Sequence, residues 1–412
     1  MEYGRANTYL RSMTVTIVGA SLAGLRVAQA LRSLAFTETI TMLGEERHRP
    51  YDRPPLSKEF LDPDFGSGGH LVPPSLLSSH ELDALELDLH LSCRVTGLDA
   101  ARRKIKLASG ERVGYDKLVI ATGARARRHP LGSGVGGFLS LRAVDDAAAI
   151  RAALDGRPNI VVLGGGFIGA EVAAATRKRG LDVTMIEMLA APMSRLLGPT
   201  VGTLLARVHE DHGVRVRLGT TVTVVRADGS GRVAELELAN GSVVPADVVI
   251  EGLGATPATD WLADSGLDVT DGVACDGDLR VLGLEDVFAA GDVARRPHEL
   301  LGEIVRIEHW TNAGEHGEIV AAAIMGAPRP AAVPPYVWSD QYGHRIQVVG
   351  GPRPGDAVTV IEDSGKDSSV AVYERDGMVS GVFTFDSPKV MLMGRRAISA
   401  RLTSREFVDT IS

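Results

Sequence analysis

The stretch Asn159-Ile160-Val161-Val162-Leu163-Gly164-Gly165-Gly166-Phe167-Ile168-Gly169 decides the fold. Its apolar run is short enough for a strand buried on both faces, and Phe167 to Arg179 continues at helical spacing. Between them Gly164, Gly166 and Gly169 form the spacing Gly-x-Gly-x-x-Gly, which makes a tight turn and aims backbone N–H groups and a helix N-terminus at a pyrophosphate. A second strand, Asp182 to Ile186, is closed by Glu187. A carboxylate there accepts both hydroxyls of a ribose and repels a 2′-phosphate, and Met188 and Leu189 supply no cation, so the turn is expected to take NADH in preference to NADPH.

Working outward, the same order occurs about one domain length upstream. Thr14 to Gly19 reads as a strand, Leu22 to Leu34 as a helix and Thr39 to Leu43 as a second strand, around Gly19-Ala20-Ser21-Leu22-Ala23-Gly24. Ser21 stands where the middle glycine is usual; it narrows the approach and offers a hydroxyl. Glu45, about 20 residues beyond the fingerprint, is placed to bind a ribose diol. Two dinucleotide folds in tandem are therefore expected. Arg94 to Ala108 and Arg112 to Ala121 alternate like hairpin strands, and Val214 to Leu218, Val222 to Ala227 and Val233 to Leu238 do likewise. Ala289-Ala290-Gly291-Asp292 follows a strand and precedes an expected helix at Val293, placing an aspartate where a polyol or phosphate is held.

The proline cluster from Gly326 to Pro335 opens a third unit with strand-like runs at Arg345 to Val349, Ala357 to Ile361, Ser369 to Tyr373 and Met378 to Phe385, then a helix around Lys389 to Ala400. The fold class is α/β: two Rossmann-like domains of glutathione-reductase type plus a C-terminal α+β domain. The expected divisions are a disordered extension at 1–12, a discontinuous first nucleotide domain at 13–123 and 247–327, a second at 124–246, and the C-terminal domain at 328–412.

Composition narrows the function. The 412 residues suffice for two or three domains. With 44 basic against 52 acidic residues the net charge is −8, which disfavours nucleic acid and anionic lipid as main partners. No uncharged apolar run reaches about 18 residues and no signal segment opens the chain, so a cytoplasmic protein without a membrane span is expected. Cys93 and Cys275 form no Cys-x-x-Cys, and each is expected to be a buried, inert thiol. The 11 histidines lack ligand spacing; they are expected to be satisfied or solvent-exposed, and no metal is expected.

Further segments carry a resemblance. Pro50-Tyr51-Asp52-Arg53-Pro54-Pro55-Leu56-Ser57-Lys58, Ala121-Thr122-Gly123, Leu141-Arg142, Ala170-Glu171, Ala290-Gly291-Asp292, Arg306-Ile307-Glu308-His309-Trp310 and Trp338-Ser339-Asp340-Gln341-Tyr342 occur in the family order. Over residues 14 to 400 the chain resembles the FAD-dependent pyridine-nucleotide reductases, specifically the ferredoxin and rubredoxin reductases of bacterial cytochrome P450s and ring-hydroxylating dioxygenases, of which putidaredoxin reductase is typical. The resemblance implies FAD at the first turn, held by Gly19, Ser21, Ala23, Gly24, Glu45, Arg53, Lys58, Val95, Thr122, Arg142, Asp292, Val305 and Trp338. It implies NADH at the second, held by Gly164, Gly166, Ile168, Gly169, Glu187, Arg195 and Gly254, and a two-iron two-sulfur ferredoxin or a rubredoxin as electron acceptor. Lys58 and Glu171 are expected to pair across the two nucleotide sites as the catalytic residues. Trp338, with Trp310 second, is expected at the electron exit, and Arg295-Arg296 and Arg395-Arg396 read as solvated surface charge or, alternatively, as patches for docking an acidic carrier. Two other functions share these folds. A flavin disulfide or peroxide reductase needs a reactive cysteine near the flavin, and a redox-sensing binding protein of apoptosis-inducing-factor type uses NADH to change its assembly. The oligomeric state is not legible.

Overall fold

The apolar run Val15–Val18 becomes the central strand of a five-stranded parallel sheet ordered Val287–Ala289, Lys117–Ile120, Val15–Val18, Ile40–Leu43 and Leu87–His90. This computed structural model describes residues 13–65, 74–363 and 368–411; the expected extension at 1–12 lies outside the described residues. Ile17, Ile40, Leu118, Val119 and Phe288 are fully shielded from solvent, as a parallel sheet covered on both faces requires. The helices Leu22–Ser33 and Trp310–Met325 pack together on this sheet. Gly317 permits their close approach: a Cβ there would stand 2.6 Å from that of Arg26.

The second sheet repeats the design, in the order Arg215–Leu218, Val183–Glu187, Ile160–Leu163, Val248–Glu251 and Phe138–Ser140, all parallel. The helix Phe167–Lys178 crosses from Ile160–Leu163 to Val183–Glu187. A three-stranded antiparallel layer accompanies each sheet in sequence, at Val95–Asp99, Lys104–Leu107 and Arg112–Gly114, and at Val222–Ala227, Val233–Leu238 and Val243–Pro245. A ribbon of Ala124–Ala126 against Ala255–Pro257 links the two nucleotide folds.

Four readings from sequence need correction. Lys117–Ile120 and Arg215–Leu218 are parallel strands of the main sheets rather than hairpin strands, because short alternating runs do not distinguish the two pairings. Val248–Glu251, expected in the first domain from residue 247, hydrogen-bonds beside Ile160–Leu163 in the second sheet, so that division falls later. No helix starts at Val293; one 3₁₀ turn, Gly291–Val293, leads into the strand Ala294–His298, whose partner is Glu303–Val305. Tyr336–Gln341 adds a strand to the C-terminal sheet, ordered Tyr336–Gln341, His344–Gly350, Met378–Phe385, Ser368–Arg375 and Ala357–Asp363. Helix Pro388–Ser399 packs on that sheet, and a further helix, Ser404–Ile411, ends the described chain.

Candidate functional site

Both glycine turns open into one cavity of about 1030 Å³. Each turn is held by the same physics. Gly19 has φ +123° and a Cβ there would lie 2.1 Å from the carbonyl oxygen of Ala121; Gly164 has φ +94° and its Cβ would lie 2.4 Å from that of Gly252. Gly24 and Gly169 do not line the cavity. Their missing side chains let each helix approach its turn, since a Cβ would meet the Gly19 and Gly164 carbonyl oxygens at 2.1 and 2.0 Å.

Around the first turn the walls carry paired charges. Arg53 donates to Ser21 Oγ (3.3 Å) and to the Arg142 carbonyl (2.6 Å), and pairs with Glu46 at 2.5 Å. Arg142 in turn pairs with Asp292 at 2.9 Å, bringing together residues 150 apart in sequence. Glu46 was missed from the sequence, although it follows Glu45 directly; it also accepts from the Tyr51 hydroxyl at 2.6 Å. Glu45 remains 57% exposed, within 3.4 Å of Arg94 and 3.8 Å of Arg125. Ala23, Val95, Thr122 and Trp338 line the same cavity. Val305 does not: it pairs with Arg296 in the hairpin of Ala294–His298 and Glu303–Val305.

The second turn has different surroundings. Pro192 lies under Gly165, and Ile168 and Met188 stand exposed at the cavity wall. Glu187 is tied inward, accepting from the N–H groups of Gly165 (2.7 Å) and Leu189 (2.8 Å). Gly166, Arg195 and Gly254 share this part of the lining, with Arg195 exposed.

Lys58 and Glu171 meet between the turns at 3.0 Å, both largely buried. Sequence did not show how the carboxylate is satisfied. Ser57 Oγ donates to one oxygen of Glu171 and Ser339 Oγ to the other, the latter at 2.6 Å. Four donors and acceptors thus come from the segment after Pro54, the second nucleotide helix and the C-terminal sheet. Burial pushes the Glu171 carboxyl up from its ordinary range, and Lys58 and the two serines pull it back.

Two tryptophans also line the cavity. Trp310 and Trp338 lie 6.1 Å apart edge to face, Tyr336 stacks on Trp338 at 6.0 Å, and Trp310 Nε1 donates to Asp52 at 2.8 Å. His309, expected to be satisfied, has a buried Nδ1 with no partner, and burial pushes its imidazole down to about 4. Trp261 Nε1 in the same lining is also buried and unpartnered. Orphaned polar atoms beside turns that exclude a Cβ fit a bound dinucleotide, so the residues present fit FAD.

Other expectations change. Cys93 is half-buried and lines the cavity beside Gly44, whose carbonyl accepts its N–H at 2.7 Å, so it belongs to the Glu45 end. Burial and the Glu111 charge push its thiol up, the reverse of activation. Cys275 is buried and pushed up to about 12. Arg296 is buried against His316 and Arg295 pairs with Asp268, so neither is free for docking; Arg395 and Arg396 are exposed. Among the described residues no group of three or more His, Cys, Asp or Glu could hold a metal, and no helix is long and apolar enough to cross a membrane.

Tandem dinucleotide folds sharing one cavity define a pyridine-nucleotide and flavin oxidoreductase architecture. Residues 13–317 match the pyridine nucleotide-disulphide oxidoreductase family and 336–409 the reductase C-terminal family, and the chain belongs to the former. It is 37% identical over 392 residues to the ferredoxin–NAD(+) reductase component of the p-cumate 2,3-dioxygenase system of Pseudomonas putida, covering 94% of this chain and 93% of that one. It is 33% identical to the rubredoxin–NAD(+) reductase of Pseudomonas putida, covering 92% and 97%. Among solved structures it is similar to the covalent putidaredoxin reductase–putidaredoxin complex, with TM-score 0.89, 31% identity and coverage of 95% and 94%. A persulfide reductase from A. fulgidus, at 22% identity and TM-score 0.83, shares the fold.

Proposed function

We propose that the protein is an NADH-dependent ferredoxin reductase that uses FAD and passes electrons singly to a two-iron two-sulfur ferredoxin or a rubredoxin, serving a P450 or dioxygenase in the cytoplasm. The observation that carries this reading is the buried Lys58–Glu171 pair between two glycine turns that open into one cavity. When bound, FAD supplies the conversion of a two-electron hydride donor into one-electron steps.

The chain's own contribution is positional. The first turn, with Arg53 and the Arg142–Asp292 pair, holds a resident nucleotide; the second turn and Glu187 hold an exchangeable one. Ser57, Ser339 and Glu171 fix the Lys58 ammonium as a compact charge between them, which arginine would not match in shape. The low-dielectric wall around that pair excludes water from the meeting point. Trp338 marks the face left for the carrier, and Arg395 and Arg396 give a chain of net charge −8 a local basic patch for an acidic partner.

A thiol-based reductase is disfavoured because the only cysteine of the cavity wall lies at the Glu45 end and is deactivated. The test is cytochrome c reduction by NADH with ferredoxins and rubredoxins added in turn. Strict dependence on an added carrier is expected, with Trp338→Ala lowering carrier-dependent turnover severalfold while an artificial acceptor is reduced at nearly the original rate. Turnover without any carrier, or ligand-dependent dimerisation with sluggish turnover, would overturn the proposal.

A further inference from the structure

A second carboxylate ends a strand in the NADH fold, and the mechanism above does not use it. Glu251 closes Val248–Glu251, which flanks Ile160–Leu163 on the side opposite Val183–Glu187. The two strands on either side of the fingerprint strand therefore both finish in glutamate, Glu187 on one flank and Glu251 on the other. They are satisfied differently. Both Glu187 oxygens already receive backbone N–H groups. Glu251 is 4% exposed, and its Oε1 accepts from the His129 N–H at 2.5 Å. Its Oε2 is buried with no hydrogen-bond partner, yet the residue belongs to the cavity lining with Gly252, Leu253 and Gly254.

A dinucleotide on such a sheet crosses the carboxyl ends of the strands at the fingerprint turn, with its adenosine ribose at the carboxylate of the next strand. Glu187 occupies that position. The rest of the molecule then extends over the other flank, where Glu251 stands. A buried acceptor without a donor costs free energy until one arrives; burial raises the Glu251 carboxyl, and the His129 N–H and then Arg128 oppose the shift. The nicotinamide riboside carries such donors, as ribose hydroxyls and a carboxamide N–H.

We propose that Glu251 is a further specificity residue for the dinucleotide, its Oε2 accepting a hydrogen bond from the nicotinamide riboside half. The inference rests on the second turn being the NADH site. The test measures equilibrium binding of NAD(+), ADP-ribose and ADP to the FAD-loaded protein and to Glu251→Gln. Glutamine keeps the volume and the acceptor for His129, but turns an N–H2 toward the ligand donor. A loss of roughly tenfold or more for NAD(+), with ADP binding within about twofold of wild type and FAD content intact, is expected. Loss for ADP-ribose as well would assign the donor to the ribose; retention would assign it to the carboxamide. Unchanged NAD(+) binding, or equal losses for NAD(+) and ADP, would overturn the proposal and leave Glu251 as a clamp on the His129 segment. Glu251→Val, which removes both acceptors, checks that result if the glutamine variant folds poorly. Failure of wild-type protein to bind NAD(+) would instead overturn the NADH reading itself.

Discussion

The two glycine turns are near copies in backbone and unlike in surroundings. Gly19 and Gly164 share a positive φ and press against a neighbouring carbonyl. Around the first, Arg53, Glu46, Arg142 and Asp292 form a connected set of charges, and Gly291 sits so close to Ala23 that a Cβ would meet its side chain at 2.8 Å. Around the second lie Pro192, Ile168 and Met188, and the carboxylate of the next strand, Glu187, is held by backbone N–H groups. Under the proposed function, a repeated turn becomes a resident site or an exchange site according to what distant segments bring to it.

The largest effects should come from breaking each turn in the same way. Gly19→Ala forces a Cβ into the Ala121 carbonyl at a left-handed φ, so purified protein should lose FAD and about 3 kcal/mol of stability. Gly164→Ala should leave the protein yellow and weaken NADH binding at least tenfold. FAD loss in both variants would mean that the two sites are not separable.

Lys58→Met removes the charge between the turns and leaves a buried carboxylate, a change that typically costs about 3–5 kcal/mol when one partner of a buried pair is lost. Stopped-flow reduction by NADH should slow at least tenfold with FAD content retained. Adding Glu171→Gln should restore stability but not rate, since the uncompensated carboxylate is gone while the ammonium is still missing. Smaller effects should follow at the strand-end carboxylates. Glu187→Ala should raise the KM for NADH severalfold, whereas Glu45→Ala, already exposed and shared between two arginines, should barely change FAD retention.

A pH dependence is common to both regions. Burial pushes His209, His298 and His309 down to about 4 from an ordinary 6.5, and pushes His316 well below its ordinary value. The folded state therefore binds fewer protons than the unfolded one in that window. The stability these residues contribute is present above pH 6.5 and is lost as the pH falls toward 4. The melting temperature should decline over that range, less steeply in His209→Gln; a flat profile would contradict the burial argument.

Much of this was legible before the structure. The glycine spacings with their flanking apolar runs announced both turns, and Lys58 and Glu171 could be paired from the family motifs. What escaped depended on distance in sequence. Ser57 and Ser339 stood inside recognised segments, yet nothing local reveals that both serve Glu171. Glu251 ends an apolar strand, and nothing local in sequence shows its burial beside the distant His129 segment. The expected helix at Val293 failed because a Gly-Asp turn leads into a strand as readily as into a helix. Arg296 read as surface charge because a doublet of arginines normally is, and only the fold buries it.

The most direct test of the account is a single-turnover titration under anaerobic conditions. FAD-loaded protein mixed with one equivalent of NADH and excess two-iron two-sulfur ferredoxin should yield two equivalents of reduced ferredoxin, since each carrier takes one electron of the hydride pair. Ferredoxin and rubredoxin that both stay oxidised, while a disulfide or peroxide consumes the NADH, would contradict it.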